Sequence, residues 1–275
     1  MKKEDSTLAA RFFFNNCAVS LHIPGELKIS RTLKPEPGDV VLNRDFMPAV
    51  YPSEFLGDKS DFYRFLDGTS PSNGALIKKL TAIGYMLCNK LPRGGRRTRA
   101  FLCVNEESEA CANGKSLFAK AIARLCNPVA VDARYTHGAF YLSAVKENTN
   151  LLILDDVPYC FDFSKVFNLC TGDWYIERNT QPELIIPQKK APYLIITSNA
   201  TSSMLRKDGS FRRRFVVLEF ASLFGPAFTI DKYIGRVMFH EWDSAQWHMF
   251  DNLMFYCVLE YLRSYDRGED VFSLY

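Results

Sequence analysis

The sequence lacks the spacings that announce a metal site or a disulfide framework. Its eight cysteines (Cys17, Cys88, Cys103, Cys111, Cys126, Cys160, Cys170 and Cys257) are scattered, with no CxxC pair. That argues against zinc and against disulfide stapling, and it fits a reducing cytoplasm in which buried thiols act as small apolar groups. The four histidines are equally dispersed, none at ligand spacing to a cysteine or another histidine. An excess of one charge is lacking too. The formal net charge is +3 over 275 residues, so any surface for nucleic acid must be local. No apolar run approaches a membrane span, and the opening MKKEDSTLAARFFF has neither the apolar core nor the cleavage site of a signal peptide. A soluble, cytoplasmic protein is expected. Internal repeats and low-complexity tracts are also missing, while 47% hydrophobic residues supply ample material for a core.

What is present changes texture along the chain. Residues 1 to about 60 mix Pro and Gly with short apolar pieces such as Val40-Val41-Leu42, which predicts irregular structure with a few strands. Leu76, Leu80, Ile83 and Leu87 share one helical face, predicting a helix from Asn73 to near Leu91-Pro92. The basic stretch Pro92-Arg93-Gly94-Gly95-Arg96-Arg97 reads as a connection and a domain boundary. Beyond it, Ala100–Asn105 (AFLCVN), Leu151–Leu154 and Leu194–Thr197 are apolar runs suited to strands covered on both faces. Leu117, Phe118, Ala121, Ile122 and Leu125 line one side of an intervening helix. Strands alternating with helices imply an α/β fold with a mainly parallel sheet. After Phe220 the pattern is helical again: Trp247, Phe250, Met254, Cys257 and Tyr261 form a stripe, and Asp243 with Gln246 resembles a capping box. Three consecutive parts are expected: an N-terminal irregular and helical segment over 1–95, a candidate for oligomerisation; an α/β core over 96–222; and a C-terminal helical module over 223–275.

The core carries a phosphate-site pattern. Strand AFLCVN, a loop, and then Asn113-Gly114-Lys115-Ser116 opening an amphipathic helix is the strand–loop–helix layout of a P-loop. Gly114 lets backbone N–H groups approach phosphates, and the helix start adds unpaired donors. Lys115 is placed to reach β- and γ-phosphates, and the Ser116 hydroxyl to join a Mg2+ shell. One position departs: GxxxxGK[ST] asks for glycine where this chain has Glu109. Forty residues after Lys115, LLILDD is an apolar strand ending in two acids. Asp155 suits the metal and Asp156 the attacking water, the form of a Walker B motif. LIITSN ends a second buried strand in Thr197-Ser198-Asn199, where Asn199 is placed to orient water or sense a γ-phosphate. Arg212-Arg213-Arg214 precedes the strand candidate FVVLEF, a place for an arginine finger. Any one of these strings has a bland reading as a helix start, a turn or a solvated patch; their order together does not.

From about Ala100 to Leu262 the chain resembles superfamily 3 helicases, AAA+-related replicative ATPases, and within them the helicase part of phage- and plasmid-type primase-helicases. ANGKSLFAKAI resembles the family's Walker A, APYLIITSN its motif C, and GSFRRRFVVLEF its arginine-finger segment. The resemblance implies a P-loop AAA+-like core that binds ATP and Mg2+. It implies that Asn113, Gly114, Lys115 and Ser116 hold the nucleotide, Ser116 and Asp155 the metal, with Asp155, Asp156 and Asn199 catalytic. Arg213 or Arg214 would enter a neighbouring subunit's site, Arg214 being preferred. It further implies a homo-oligomeric ring, a hexamer, moving on single-stranded DNA in a bacterial or phage-infected cell, with a separate primase or replication initiator as partner. The hairpin between the acids and motif C, Trp174 to Ile186, would contact DNA through Arg178, helped by Lys189 and Lys190. Trp174 or Tyr175 would stack on a base or, the preferred reading, pack in the core. No catalytic primase fits in the roughly ninety residues before the core, so priming is not carried over. Beside the motor stands an ATP-binding switch that assembles on DNA with little or no unwinding.

Overall fold

The structure, a computed structural model, describes residues 7–91, 98–107, 113–132, 141–158, 160–179, 181–205 and 208–272. Four strands come first: β1 (Leu8–Phe13), β2 (Ala18–His22), β3 (Glu26–Ser30) and β4 (Val40–Val41). Helices α1 (Asp61–Gly68) and α2 (Asn73–Met86) follow. The middle of the chain holds β5 (Ala100–Asn105), α3 (Lys115–Ala123), β6 (Pro128–Asp132), β7 (Leu151–Val157) and α4 (Phe167–Thr171). It continues with β8 (Trp174–Ile176), β9 (Leu184–Ile186), β10 (Tyr193–Thr201), α5 (Gly209–Arg214) and β11 (Phe215–Phe220). Last come α6 (Ile230–Ile234) and the long α7 (Ser244–Asp266). No helix among the described residues is long and apolar enough to cross a membrane.

These elements form two compact units, not three consecutive parts. One joins Met1–Leu91 to Ala227–Tyr275; the other is Pro92–Pro226. The expected 96–222 core lies inside the second, and most of the expected 1–95 and 223–275 parts fall together in the first. The physical reason lies on α7. Its Asp251, fully buried, takes a two-point bond from Arg44 (2.8 and 2.5 Å), whose guanidinium also stacks over Trp247. Asn252 accepts from the Ala49 N–H and donates to the Met47 carbonyl. The capping box is half realised: Asp243 caps the Gln246 N–H at 3.0 Å, but the Gln246 side chain reaches instead to Lys59 and Asp61. The N-terminal segment is also more regular than expected, a four-stranded sheet ordered β3-β2-β1-β4. The α2 helix ends at Met86, short of Leu91-Pro92, with Leu76, Ile83 and Leu87 buried as the pattern requires.

The second unit is α/β, with a five-stranded sheet ordered β11-β5-β10-β7-β6 in which every neighbour pair is parallel. Both faces are covered, as the continuous apolar runs demand: all of β5 and residues 151–154 of β7 are buried. On one face Leu102, Leu152, Leu154, Leu194 and Ile196 meet Val166, Trp174 and Phe211. Phe101, Cys103, Ile153 and Ile195 point the other way by strand alternation, toward the face where α3 packs on β7 and β10. Because the strands are parallel, the carboxyl ends of β5, β7 and β10 lie along one edge. Crevices at that edge are where open α/β sheets hold ligands.

Candidate functional site

At that edge β5 hands the chain to α3. Gly114 is the N-cap of α3 with φ 85°, a left-handed conformation that a side chain resists and glycine accepts. The turn leaves the first N–H groups of α3 without helical partners, a donor set for an anion. Lys115 and Asn113 are both buried, unusual for such polar residues beside a loop. Asn113 donates through Nδ2 to Asn105 Oδ1 (3.3 Å) and the Phe220 carbonyl (3.5 Å). Its own Oδ1 is buried without a hydrogen-bond partner, an orphaned acceptor of the kind that a bound ligand or water satisfies.

The two acids reach the site through an irregularity in β7. Ile196 pairs with Leu154 and Ser198 with Val157, so Asp155 and Asp156 stand opposite the single residue Thr197. This is a bulge. Its effect follows from parity: Leu152, Leu154 and Val157 share one core, whereas strict alternation would have sent residue 156 there. The extra residue frees Asp156 from the core face, at the cost of a left-handed backbone (φ 58°), which Asp tolerates better than most.

Hydrogen bonds then close a circuit through three strands and the helix. The Ser116 hydroxyl donates to Asp155 Oδ1 at 2.7 Å. Thr197 Oγ1 donates to the same oxygen at 2.6 Å and accepts from the Asp156 N–H at 2.8 Å. Asn199 Nδ2 donates to Asp156 Oδ1 at 2.9 Å. Asn105 Nδ2 donates to the Asn199 carbonyl at 3.2 Å, and Asn105 Oδ1 accepts from Lys115 Nζ, next in sequence to Ser116. Lys115, Ser116, Asp155, Asp156 and Asn199 are thus brought together, with Gly114 and Asn113 alongside. Asn105 and Thr197 were not foreseen as site residues. Asn105 is a polar residue ending an otherwise apolar strand, whereas Thr197, inside β10, is marked only as the first polar residue after an apolar run.

The hydrogen bonds of the other expected residues do not join this circuit. Arg213 is exposed, its Nε on the Gly209 carbonyl, and its own carbonyl accepts from Arg99 (2.5 Å). Arg214 bonds to the Ser210 carbonyl and lies 4.8 Å over the Phe167 ring, with Nε buried and unpartnered. In the β8–β9 hairpin Trp174 is core, its indole N–H bonded to the Leu169 carbonyl at 2.9 Å, whereas Tyr175 is 62% exposed opposite Ile185. Arg178 is half-buried and donates to the Val145 carbonyl at 3.0 Å; Lys189 and Lys190 are exposed. Glu109 and Arg93 to Arg97 lie outside the described residues.

For a divalent cation the donors fit. Ser116 Oγ and Asp155 Oδ1 are adjacent hard oxygens, and Mg2+ is ordinarily held by one or two protein oxygens completed by substrate phosphates and water. Among the described residues no group of three His, Cys, Asp or Glu would hold an ion by itself.

No protein-family model matches the sequence, and the comparison with curated proteins gives no match. Solved structures do resemble it. An A-form apo structure of the NrS-1 C-terminal region is 13% identical, with a TM-score of 0.45 over 92% of this chain and 65% of that one. A further A-form apo structure of that region is 10% identical, with a TM-score of 0.46 over 92% of this chain and 68% of the other. A JCV helicase with a bound acetamide compound is 14% identical, with a TM-score of 0.39 over 78% and 69% of the two chains. This chain therefore spans less than two thirds of the first of these.

Proposed function

We propose that this chain is an ATPase that binds the triphosphate at Gly114–Ser116 and works as an oligomeric motor on single-stranded DNA. The observation that carries the proposal is the closed hydrogen-bond circuit: a lysine and a hydroxyl at a helix start, two acids, a threonine and two asparagines, gathered from β5, β7, β10 and α3. Lys115 and the α3 N–H groups bind and orient phosphate. Ser116 and Asp155 would hold Mg2+, which when bound would neutralise charge on the phosphate oxygens. Asp156, aimed by Asn199, accepts the proton of an attacking water.

The oligomer and the DNA rest on separate supports. Within one chain the side chains of Arg213 and Arg214 turn to their own helix, which favours an arginine delivered to the phosphates by a second copy. Exposed Lys189 and Lys190 follow a hairpin whose outer face carries Tyr175 and Ile185, a cationic and apolar combination suited to single strands.

The test is ATP turnover measured with and without single-stranded DNA. Strong stimulation by DNA is expected, and Lys115→Ala is expected to reduce turnover to background with an unchanged circular-dichroism spectrum. Wild-type turnover in that variant sinks the phosphate site. Nucleotide binding without DNA-stimulated turnover in the wild type replaces the motor with a switch.

A further inference from the structure

We infer that Asn105 is the positioning residue of Lys115, holding its ammonium ready for phosphate and tying it to the strand that bears Asn199; the inference rests on the phosphate-site reading above. Asn105 ends β5, where the five residues before it are apolar and buried, and is itself 1% exposed. A carboxamide buried there costs stability unless its groups are bonded, and this one is bonded at both ends. Its orientation follows from its partners. An ammonium only donates and a carbonyl only accepts, so Oδ1 faces Lys115 and Nδ2 faces the Asn199 carbonyl. Asn113 Nδ2 brings a second donor to the same Oδ1 at 3.3 Å, which fixes the amide further.

The chemistry of the acceptor matters. Lys115 is 7% exposed, and a lysine head so placed needs a hydrogen-bonding partner. A carboxylate at residue 105 would supply one but would also neutralise the ammonium and repel a triphosphate. A neutral amide oxygen holds the head in place without itself offsetting the positive charge. The side chain is thus ordered before nucleotide arrives, which reduces the entropy lost on binding.

The experiment is a double-mutant cycle read by equilibrium titration of fluorescent ATP without divalent cation, so that neither turnover nor metal enters. Asn105→Ala is expected to weaken binding about tenfold, the usual scale for a lost hydrogen bond to a charged group. In a Lys115→Met background the same change is expected to alter affinity less than about twofold, because Asn105 acts through the lysine. Equal losses in both backgrounds overturn the inference, since a general disturbance of the strand would persist without the ammonium. Should Asn105→Ala not fold, the isosteric Asn105→Asp carries the test. It keeps shape and acceptor, and is expected to weaken ATP more than tenfold; wild-type or tighter binding overturns the inference. The two readings fail differently. Unchanged affinity in Lys115→Met alone removes the phosphate site and this inference with it. A loss in Lys115→Met with none in Asn105→Ala removes this inference alone.

Discussion

Thr197 shows how much one hydroxyl can organise. It donates to Asp155 and accepts from the backbone of Asp156, so one buried side chain fixes both acids and supports the left-handed turn of the second. Thr197→Val keeps the shape and removes both bonds. The expected result is a loss of about 1–2 kcal/mol in stability, the scale of a buried hydrogen bond or two. Alongside it, kcat should fall at least tenfold with KM for ATP nearly unchanged, since the phosphate loop is untouched. Lost stability with wild-type kcat would make Thr197 a packing residue only. At this scale the sequence exposes groups local to a motif: Lys115, Ser116 and the acid pair are legible, from residue type and spacing, as groups that the fold brings together. Thr197 and Asn105 are not, because their roles arise across strands. Nothing in LIITSN reveals that two residues of β7 stand opposite one of β10.

Among elements of the first unit, α2 and α7 approach closely at Gly84. A Cβ on Gly84 would lie 2.1 Å from the Cys257 carbonyl oxygen and 2.7 Å from its carbon, both backbone atoms that cannot swing aside. Gly84→Ala is therefore expected to cost about 3 kcal/mol or more, beyond ordinary overpacking because backbone has to shift. Chemical denaturation checks it, and a variant as stable as wild type would mean that the helices stand further apart. The helical stripes on α2 and α7 were legible because buried faces repeat at helical spacing. That Gly84 is the contact between them was not, since a helix-interior glycine looks the same whether it is packed or merely tolerated. The N-terminal sheet was hidden for another reason: β3 is an edge strand with no fully buried residue and no continuous apolar run, and β4 is an edge strand of only two residues. Proline and glycine between them dominate the local pattern, so the region reads as irregular.

For the whole molecule, the first unit is built from both ends of the chain with the parallel-sheet unit inserted between. Local periodicity cannot report this, because Arg44 and Asp251 are partners separated by 207 residues. Assembly is the property that most needs testing at this scale. If the arginine acts on a neighbour's phosphates, sites form head to tail, and such interfaces close into rings. Lys115→Ala and Arg213→Ala subunits then lack complementary halves of a site. Mixed one to one and assembled at random, about a quarter of the interfaces regain both halves, so recovered turnover should approach about a quarter of wild type. Arg213 is the better choice for the pairing than Arg214, whose guanidinium lies over Phe167 and whose loss would disturb the fold of its own unit. Each variant alone should be inactive, and the mixture active only under conditions where light scattering detects oligomers. Mixtures that assemble without recovering turnover would exclude Arg213 as the residue supplied in trans. Full turnover from wild-type monomers would exclude shared sites altogether.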